Sequence, residues 1–184
     1  LYLILDCIIQ LSHLKELEKY YYLTRGHINQ RHLKMKLYKN ILEEKERKRL
    51  LRFVKTKVKY WNDNVPGLQT PMNLHTHPET QHFYNKIMKK YFKDMSIQYS
   101  WANYSEGDII NWHTHPTSVI SAVYFLKNPD SLGTIFRNEK YSYDKITSTK
   151  CPENSLLVFD ASKTHSQPYS PKKIKRYSIA IDLI

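Results

Sequence analysis

Three histidines in the C-terminal half of the chain have the residue type and the spacing of a metal-binding site. Residues 109–115 have the composition of a β-strand, so His113 and His115 share one face of it while Thr114 points to the other. His165 lies fifty positions after His115, at the end of another β segment, where a closed β fold would bring it beside the pair. Neutral imidazole binds iron, zinc, copper or nickel, so the three side chains predict a mononuclear site with open coordination positions.

An arginine near the end of the chain is the second candidate for chemistry. In a strand over 176–183, Arg176, Ser178 and Ala180 share the face that we expect to line the interior. A planar guanidinium offers a carboxylate a two-pronged match that lysine cannot make. The alternative is that Arg176 is one more basic residue after Lys172, Lys173 and Lys175. We favour a carboxylate-binding role because the partner positions fall on the inward face.

Two helices are predicted to support these residues. Asn40 and Glu43 have the spacing of a capping box, and apolar residues then recur at helical intervals, which predicts a helix from about Ile41 to about Lys59. Residues 62–71 are rich in Asn, Asp, Pro and Gly and predict a loop. Pro78 then opens a second helix with one apolar stripe.

From about residue 97 the amino-acid composition changes. Short segments rich in Tyr, Ile, Val and Ser alternate with turn residues, and this pattern is typical of strands. The predicted strands are residues 97–104, 109–115, 119–126, 134–137, 155–160, 165–169 and 176–183. Helices followed by many short strands predict an α+β fold in which the helices pack on one sheet of a jelly roll. We expect a single domain over 35–184, with helical support in 35–95 and the jelly-roll core in 96–184.

Six phrases within this β-rich half resemble the Fe(II)/2-oxoglutarate-dependent oxygenase superfamily in their order and spacing. They are Trp101-Ala-Asn-Tyr-Ser-Glu-Gly-Asp, His113-Thr-His-Pro, Ser121-Ala-Val-Tyr-Phe-Leu, Ser155-Leu-Leu-Val-Phe-Asp, Thr164-His-Ser and Arg176-Tyr-Ser. The chain resembles in particular a subgroup from viruses and marine bacteria with a His-x-His motif. There a Gly-Leu-Gln-Thr-like phrase and a helix precede the barrel, as they do here from Gly67, which extends the resemblance back to about Met35.

The resemblance implies a double-stranded β-helix, which is cupin-like, and an oxidoreductase that binds Fe(II). By position, His113 is the first iron ligand, His165 is the distal ligand, and Arg176 pairs with the C5 carboxylate of 2-oxoglutarate. Ser178 adds a hydroxyl to that carboxylate. Asn103 and Tyr124 are further candidate contacts to this co-substrate, but each is equally explained as a strand residue satisfied by backbone. The implied dioxygenase consumes O2, releases succinate and CO2, and by default hydroxylates an acceptor that the resemblance does not identify.

The chain departs from the wider superfamily at His115, where an Asp or Glu usually completes the set of metal ligands. Three alternatives stay open: His115 binds the metal directly, it orients a water molecule, or Asp108 or Asp160 approaches the metal instead. Imidazole in place of carboxylate leaves the site one unit more positive. A cupin-like three-histidine enzyme that does not use 2-oxoglutarate is therefore the competing enzymatic hypothesis.

A second His-Thr-His-Pro phrase spans residues 75–78, but its flanks differ from those of the first. A charged helical stripe follows Pro78, whereas a Ser/Val/Ile strand follows Pro116. We therefore predict structural roles for His75 and His77 rather than a second metal site.

Charge and composition bound the remaining alternatives. The 184 residues carry a formal charge of +12, and residues 1–60 hold 15 Lys and Arg against 6 Asp and Glu. A non-enzymatic basic module that binds nucleic acid or a partner through residues 36–59 is therefore an alternative, but a solvated helical face is the commoner cause and is favoured. Two cysteines far apart indicate a reducing compartment, and we expect a cytoplasmic protein of undetermined oligomeric state.

The N-terminal segment has a separate interpretation. The apolar run over residues 1–11 contains Asp6 and is too short to span a membrane. Residues 1–34 are interpreted as a doubtful extension, because Met35 stands directly before a segment that resembles the start of a domain.

Overall fold

A computed structural model of the chain describes residues 35–62, 65–107, 111–138, 145–170 and 172–184. These ranges hold two α-helices, two short 3₁₀ turns and ten β-strands. The predicted extension over residues 1–34 and the candidate ligand Asp108 lie outside them.

Helix α1 spans Glu44–Lys57 and begins one turn later than the sequence pattern predicted. Its capping box is formed by Glu43 and Glu46, whose carboxylate accepts a hydrogen bond from the Glu43 backbone at 2.9 Å. Asn40 instead adopts a φ of 54° at the end of a strand, so the predicted Asn40 box is wrong. The side chains of Leu50 and Val54 bury the inner face of the helix.

Helix α2 spans Gln81–Tyr91 and follows a 3₁₀ turn over Pro78–Thr80. Proline suits a first helical position because it has no N–H group to leave unpaired. Phe83 and Ile87 of the predicted apolar stripe are buried, together with Tyr84.

Ten strands form two antiparallel sheets. The strands are β1 (Lys36–Lys39), β2 (Tyr60–Asn62), β3 (Val65–Gln69), β4 (Ile97–Ser105), β5 (Ile120–Lys127), β6 (Leu132–Asn138), β7 (Lys145–Lys150), β8 (Ser155–Asp160), β9 (His165–Ser166) and β10 (Arg176–Leu183). The major sheet has the order β1-β8-β5-β10-β4-β3-β2, and the minor sheet has the order β7-β6-β9. The last strand therefore lies at the centre of the major sheet, between β5 and β4.

Several stretches differ from the predicted secondary structure: β1 and β7 were not predicted, and the strand predicted over 165–169 is reduced to His165–Ser166. The predicted loop over 62–71 contributes to the β2–β3 hairpin, and only Leu68 and Gln69 of β3 pair with β4, so Pro66 does not interrupt that ladder. The predicted strand over 109–115 is reduced, in its described part, to a single bridge at His113. The chain turns away there because Ser118 donates its N–H to the His115 carbonyl at 3.1 Å.

The helices cover the outer face of the major sheet, as expected. The Phe83 ring of α2 lies 4.8 Å from the Tyr124 ring of β5, and Tyr124 pairs with Ile179 of β10 across the sheet. The opposite face of the sheet packs on the minor sheet through a cluster of apolar side chains from both, which are Phe125, Phe136, Cys151, Leu157 and Phe159. The predicted α+β jelly roll with helices on one sheet is confirmed.

Candidate metal centre

The backbone brings two of the three predicted ligands together directly. His113 and His165 form an antiparallel bridge, with N–H to carbonyl distances of 3.1 and 3.0 Å in the two directions. Residues opposite each other in such a bridge project to the same side. The backbone N–H of His115 donates to the carbonyl of Ala161 at 3.0 Å. This hydrogen bond holds His115 beside the turn after β8, on the same side as the other two histidines.

The three imidazoles converge on one point. Each ring offers a nitrogen, and these atoms all lie within 4.8 Å of one another. The ring centroid of His113 is 4.3 Å from that of His165, and His115 lies 5.1 Å from each of the other two. This separation suits three ligands on one side of a single metal ion, with further positions open to small molecules.

Hydrogen bonds set which nitrogen of each ring is free. The Nδ1 atom of His113 lies 2.7 Å from the Asn111 carbonyl oxygen, and that of His165 lies 2.8 Å from the Lys163 carbonyl oxygen. The Nδ1 atom of His115 lies 2.8 Å from a carboxylate oxygen of Asp182. Since all three partners are acceptors, each Nδ1 carries the proton and each Nε2 keeps a free lone pair.

Burial favours neutral rings, which are the metal-binding form. Desolvation lowers the pKa of His165 to about 3, and it also lowers the pKa of His113 below its ordinary value. At neutral pH, protons therefore compete weakly with a metal for these two nitrogens.

Asp182 is a site residue that the sequence reasoning missed. Its side chain is buried, and its second oxygen accepts a hydrogen bond from the Ser121 hydroxyl at 2.8 Å. The signal was present, because the alternation that placed Arg176 and Ser178 inward reaches Asp182 four positions later, in an otherwise apolar strand end. Asp160, which was considered as an alternative ligand, instead accepts hydrogen bonds from Ser162 within a turn.

The three histidines open into a cavity between the two sheets. Its lining residues are Trp101, Asn103, His113, His115, Ser121, Ala122, Val123, Thr134, Phe159, His165, Ser166, Gln167, Arg176, Ser178, Ala180 and Asp182. Alternate residues of β10 thus supply one wall: Arg176, Ser178 and Ala180, as the strand pattern predicted, and in addition Asp182.

Arg176 is a buried cation that forms no salt bridge among the described residues, although the charge of nearby Asp130 partly offsets the effect of burial on its pKa. Its Nε atom is buried and has no hydrogen-bond partner, and its guanidinium carbon lies 5.0 Å from the centroid of the Phe125 ring. Burial lowers the pKa of Arg176 to about 10, so the side chain remains charged at neutral pH. An unpaired buried charge is costly, and its placement in the cavity wall fits an anionic ligand.

The other predicted co-substrate residues divide into two groups. Ser178 and Asn103 line the cavity as neighbours across β10 and β4, and Asn103 accepts a hydrogen bond from Gln69 at 2.9 Å. Tyr124 does not line the cavity, so its assignment to the co-substrate needs correction. It lies on the helix side of the sheet, and its hydroxyl donates to the Asn154 side chain at 2.8 Å.

The second His-Thr-His-Pro phrase lies on that same helix side. The backbone N–H of His75 donates to the Ser100 hydroxyl at 2.9 Å, and the hydroxyl of buried Tyr84 donates to the same oxygen at 2.9 Å. The His77 ring contacts the Phe53 ring edge to face. These contacts fix the turn before α2 against β4, and neither histidine belongs to the metal-type cluster formed among the described residues.

The fold and this cavity define a class of protein: a jelly roll with three converging histidines and a buried arginine between its sheets. No protein-family model matches the chain, and no curated protein matches it. Among the described residues, no helix is both long enough and apolar enough to cross a membrane.

Solved structures give the particular likeness. The chain is similar to SnoN, a non-haem α-ketoglutarate-dependent epimerase of nogalamycin biosynthesis, with a TM-score of 0.65 and 9% identity over 82% of this chain and 77% of that one. It is similar to HygX from Streptomyces hygroscopicus with nickel and 2-oxoglutarate bound (0.61; 8%; 81% and 82%). It is also similar to a prolyl-4-hydroxylase from Pseudomonas putida (0.58; 11%; 83% and 92%). The chain therefore has the double-stranded β-helix fold of these enzymes.

Proposed function

We propose that this protein is an Fe(II)- and 2-oxoglutarate-dependent dioxygenase that hydroxylates an acceptor. The observation that carries the proposal is the presence, in one cavity, of three histidines with free Nε2 atoms and a buried arginine whose Nε atom has no hydrogen-bond partner. Fe(II) and 2-oxoglutarate, when bound, supply the oxidising chemistry that consumes O2 and releases succinate and CO2.

The protein's own residues have three tasks under this proposal. His113, His115 and His165 hold the metal through Nε2, because their Nδ1 atoms are occupied by hydrogen bonds. Arg176 receives the distal carboxylate of the co-substrate through its two-pronged guanidinium, with Ser178 beside it. The walls, including Trp101 and Phe159, exclude bulk water from the reacting centre.

The likeness to SnoN and HygX supports the choice of metal and co-substrate. SnoN is described as α-ketoglutarate-dependent, and HygX was crystallised with 2-oxoglutarate and nickel. Imidazole nitrogens suit iron, and nickel is a common stand-in with similar ligand preferences. The acceptor is undefined, because acceptor recognition depends on rim loops that vary independently of the fold.

Anaerobic titration with Fe(II) followed by 2-oxoglutarate tests the proposal. We expect the weak visible charge-transfer absorption of the iron chelate, followed on admission of O2 by succinate formation. Tight binding of Fe(II) without that absorption would contradict the use of 2-oxoglutarate.

A cupin-like three-histidine enzyme without 2-oxoglutarate is the second candidate, and the imidazole of His115 in place of a carboxylate favours it. The two candidates differ at Arg176. Substitution of Arg176 by Met abolishes turnover if 2-oxoglutarate is used, and it leaves turnover intact if the three-histidine site works alone.

A further inference from the structure

We propose that Asp182 is a positioning residue that supplies, through His115, the negative charge that three neutral imidazoles cannot give the metal centre. The inference rests on the proposed metal site but not on the use of 2-oxoglutarate. It accounts for how a site with histidine at the usual carboxylate position retains a carboxylate within one hydrogen bond of its ligands.

The contact is short, buried and made with the right atom. Asp182 Oδ2 lies 2.8 Å from His115 Nδ1, and this contact leaves Nε2 as the ring nitrogen available to a metal. The side chains of Asp182 and His115 are 4% and 15% exposed, so water weakens their interaction little. Asp182 therefore acts on the metal through the imidazole ring and is placed behind His115 rather than at the metal.

Asp182 is itself held in place. Its other oxygen, Oδ1, accepts the hydroxyl proton of Ser121, and the two residues are register partners on β5 and β10. With both oxygens engaged, the carboxylate cannot swing toward the metal without breaking a hydrogen bond in a buried environment. The geometry thus orients His115 with its Nε2 toward the centre.

The three histidines are not equivalent as ligands. His113 and His165 donate from Nδ1 to the neutral backbone carbonyls of Asn111 and Lys163, whereas His115 alone has an anionic partner. A carboxylate behind a ligating imidazole raises the basicity of the ring and fixes its orientation. His115, the histidine that departs from the superfamily pattern, is thereby the strongest electron donor of the three.

Charge balance in the cavity leads to the same assignment. Asp182 is the only acidic residue among the described residues that line the cavity, and Arg176 is the only basic one apart from the histidines. A divalent cation beside three neutral rings would otherwise have no anionic protein group nearby. The carboxylate that the usual ligand set carries at the metal has moved, in this chain, to a strand behind the ligand.

Cobalt(II) titration of the full chain, followed by its visible absorption, measures the effect without turnover. We expect Asp182→Asn to weaken cobalt binding roughly 10- to 100-fold, the usual effect of removing an outer-shell carboxylate. Asp160→Asn is the matched control, because Asp160 is used in a turn and touches no histidine. It should leave cobalt affinity unchanged, and equal affinity of wild type and Asp182→Asn would overturn the inference.

Moving the carboxylate from position 182 to position 115 distinguishes two roles for Asp182, which are the supply of negative charge and structural support. In the Asp182→Asn background, His115→Asp places a carboxylate directly at the metal and should restore cobalt affinity, whereas His115→Asn should not. If Asp182 only holds the strands together, His115→Asp brings no recovery, because the lost contact remains lost. Failure of that recovery contradicts the proposal even when the single substitution weakens binding.

Two further measurements keep the test decisive. If Asp182→Asn does not fold, nitrogen NMR of the wild-type protein still applies: we expect His115 with its proton on Nδ1 and zinc(II) bound at Nε2, and the opposite arrangement would overturn the proposal. Adding 2-oxoglutarate to the cobalt-loaded wild type distinguishes the two proposals. Cobalt binding that depends on Asp182 without any response to 2-oxoglutarate refutes the dioxygenase alone, and absence of cobalt binding refutes both.

Discussion

The two ends of the cavity differ in whether their polar groups have hydrogen-bond partners within the protein. At the histidine end, all three Nδ1 atoms have acceptors within 2.8 Å, and Asp182 is held by Ser121. At the arginine end, Arg176 is buried with an unpaired Nε and forms no salt bridge among the described residues. The protein's own hydrogen bonds organise the first end, whereas the second keeps a buried donor that an anionic ligand would satisfy under our proposal.

This difference predicts how each end of the cavity contributes to ligand binding and to the stability of the free protein. Preorganised imidazoles bind a metal with little rearrangement. An unpaired buried cation reduces the stability of the free protein and gains that energy back when an anion pairs with it. We therefore expect substitutions at the histidine end to affect the metal, and substitutions at the arginine end to affect the anion and the stability of the free protein.

The largest expected effect is at the histidine end. His113→Ala removes one of the three proposed metal ligands and should weaken Fe(II) binding by more than the roughly 100-fold that outer-shell changes cause. Anaerobic calorimetry measures the affinity. His77→Ala, in the second His-Thr-His-Pro phrase, is the matched control and should bind Fe(II) as the wild type does. A similar loss in both variants would contradict the assignment of the site to His113.

Substitutions at the arginine end should change the affinity for 2-oxoglutarate and leave the affinity for Fe(II) unchanged. Arg176→Met leaves the co-substrate carboxylate without a partner, and the expected loss of 2-oxoglutarate affinity is about 2 to 5 kcal/mol, with Fe(II) affinity retained. Arg176→Lys keeps the charge but not the two-pronged geometry and should fall between wild type and Arg176→Met. Titration of the Fe(II)-loaded variants with 2-oxoglutarate measures both.

The stability of Arg176→Met tests whether the two ends of the cavity differ as described. Without ligands, Arg176→Met should unfold at a higher urea concentration than wild type, because an unpaired buried charge is replaced by an apolar side chain. Loss of stability in the free protein would mean that Arg176 has a structural partner and that the two ends are alike.

Acid should lower the unfolding free energy of the metal-free protein because of buried His165. The folded-state pKa of His165 is about 3 against an ordinary value of 6.5, so between these values the unfolded chain binds a proton that the folded chain does not. Stability therefore falls as the pH drops below 6.5, by about 2 kcal/mol at pH 5. Urea unfolding of metal-free protein should show this slope, and His165→Gln should reduce it. An unchanged slope in His165→Gln would contradict the assignment.

The smallest expected effect concerns Tyr124, which lies outside the cavity. Tyr124→Phe removes the hydroxyl that donates to Asn154 and should cost about 1 kcal/mol of unfolding free energy. Its affinity for 2-oxoglutarate should equal that of wild type. Reduced affinity with unchanged stability would restore the original assignment of Tyr124 to the co-substrate.

The sequence was most informative where one face of a strand differs chemically from the other. On β10, polar residues alternate with fully buried Ile179 and Ile181, so the inward positions of Arg176 and Ser178 could be predicted. The same alternation reaches Asp182, which lies outside the six phrases that carried the resemblance to the oxygenases.

Strand β5 carries no comparable signal. It is apolar on both faces because one sheet and one helical layer cover it, so periodicity could not place Tyr124 on the helix side. Similarly, β1 depends on pairing with β8 rather than on a local pattern. Pro66 and Gly67 suggested a loop, although the ladder to β4 needs only Leu68 and Gln69.

The position of β10 in the middle of the major sheet has a consequence for the order of events during synthesis. Its neighbours β4 and β5 do not pair with each other, and Lys36 of β1 pairs with Val158, 122 positions further along. Strands β4 and β5 therefore leave the ribosome each with one hydrogen-bonding edge unpaired until residues 176–183 follow, and β1 has no partner until β8 is made. We expect the sheet, and the metal centre with it, to assemble only after translation has passed Leu183, which makes the nascent chain a natural client for chaperones until then.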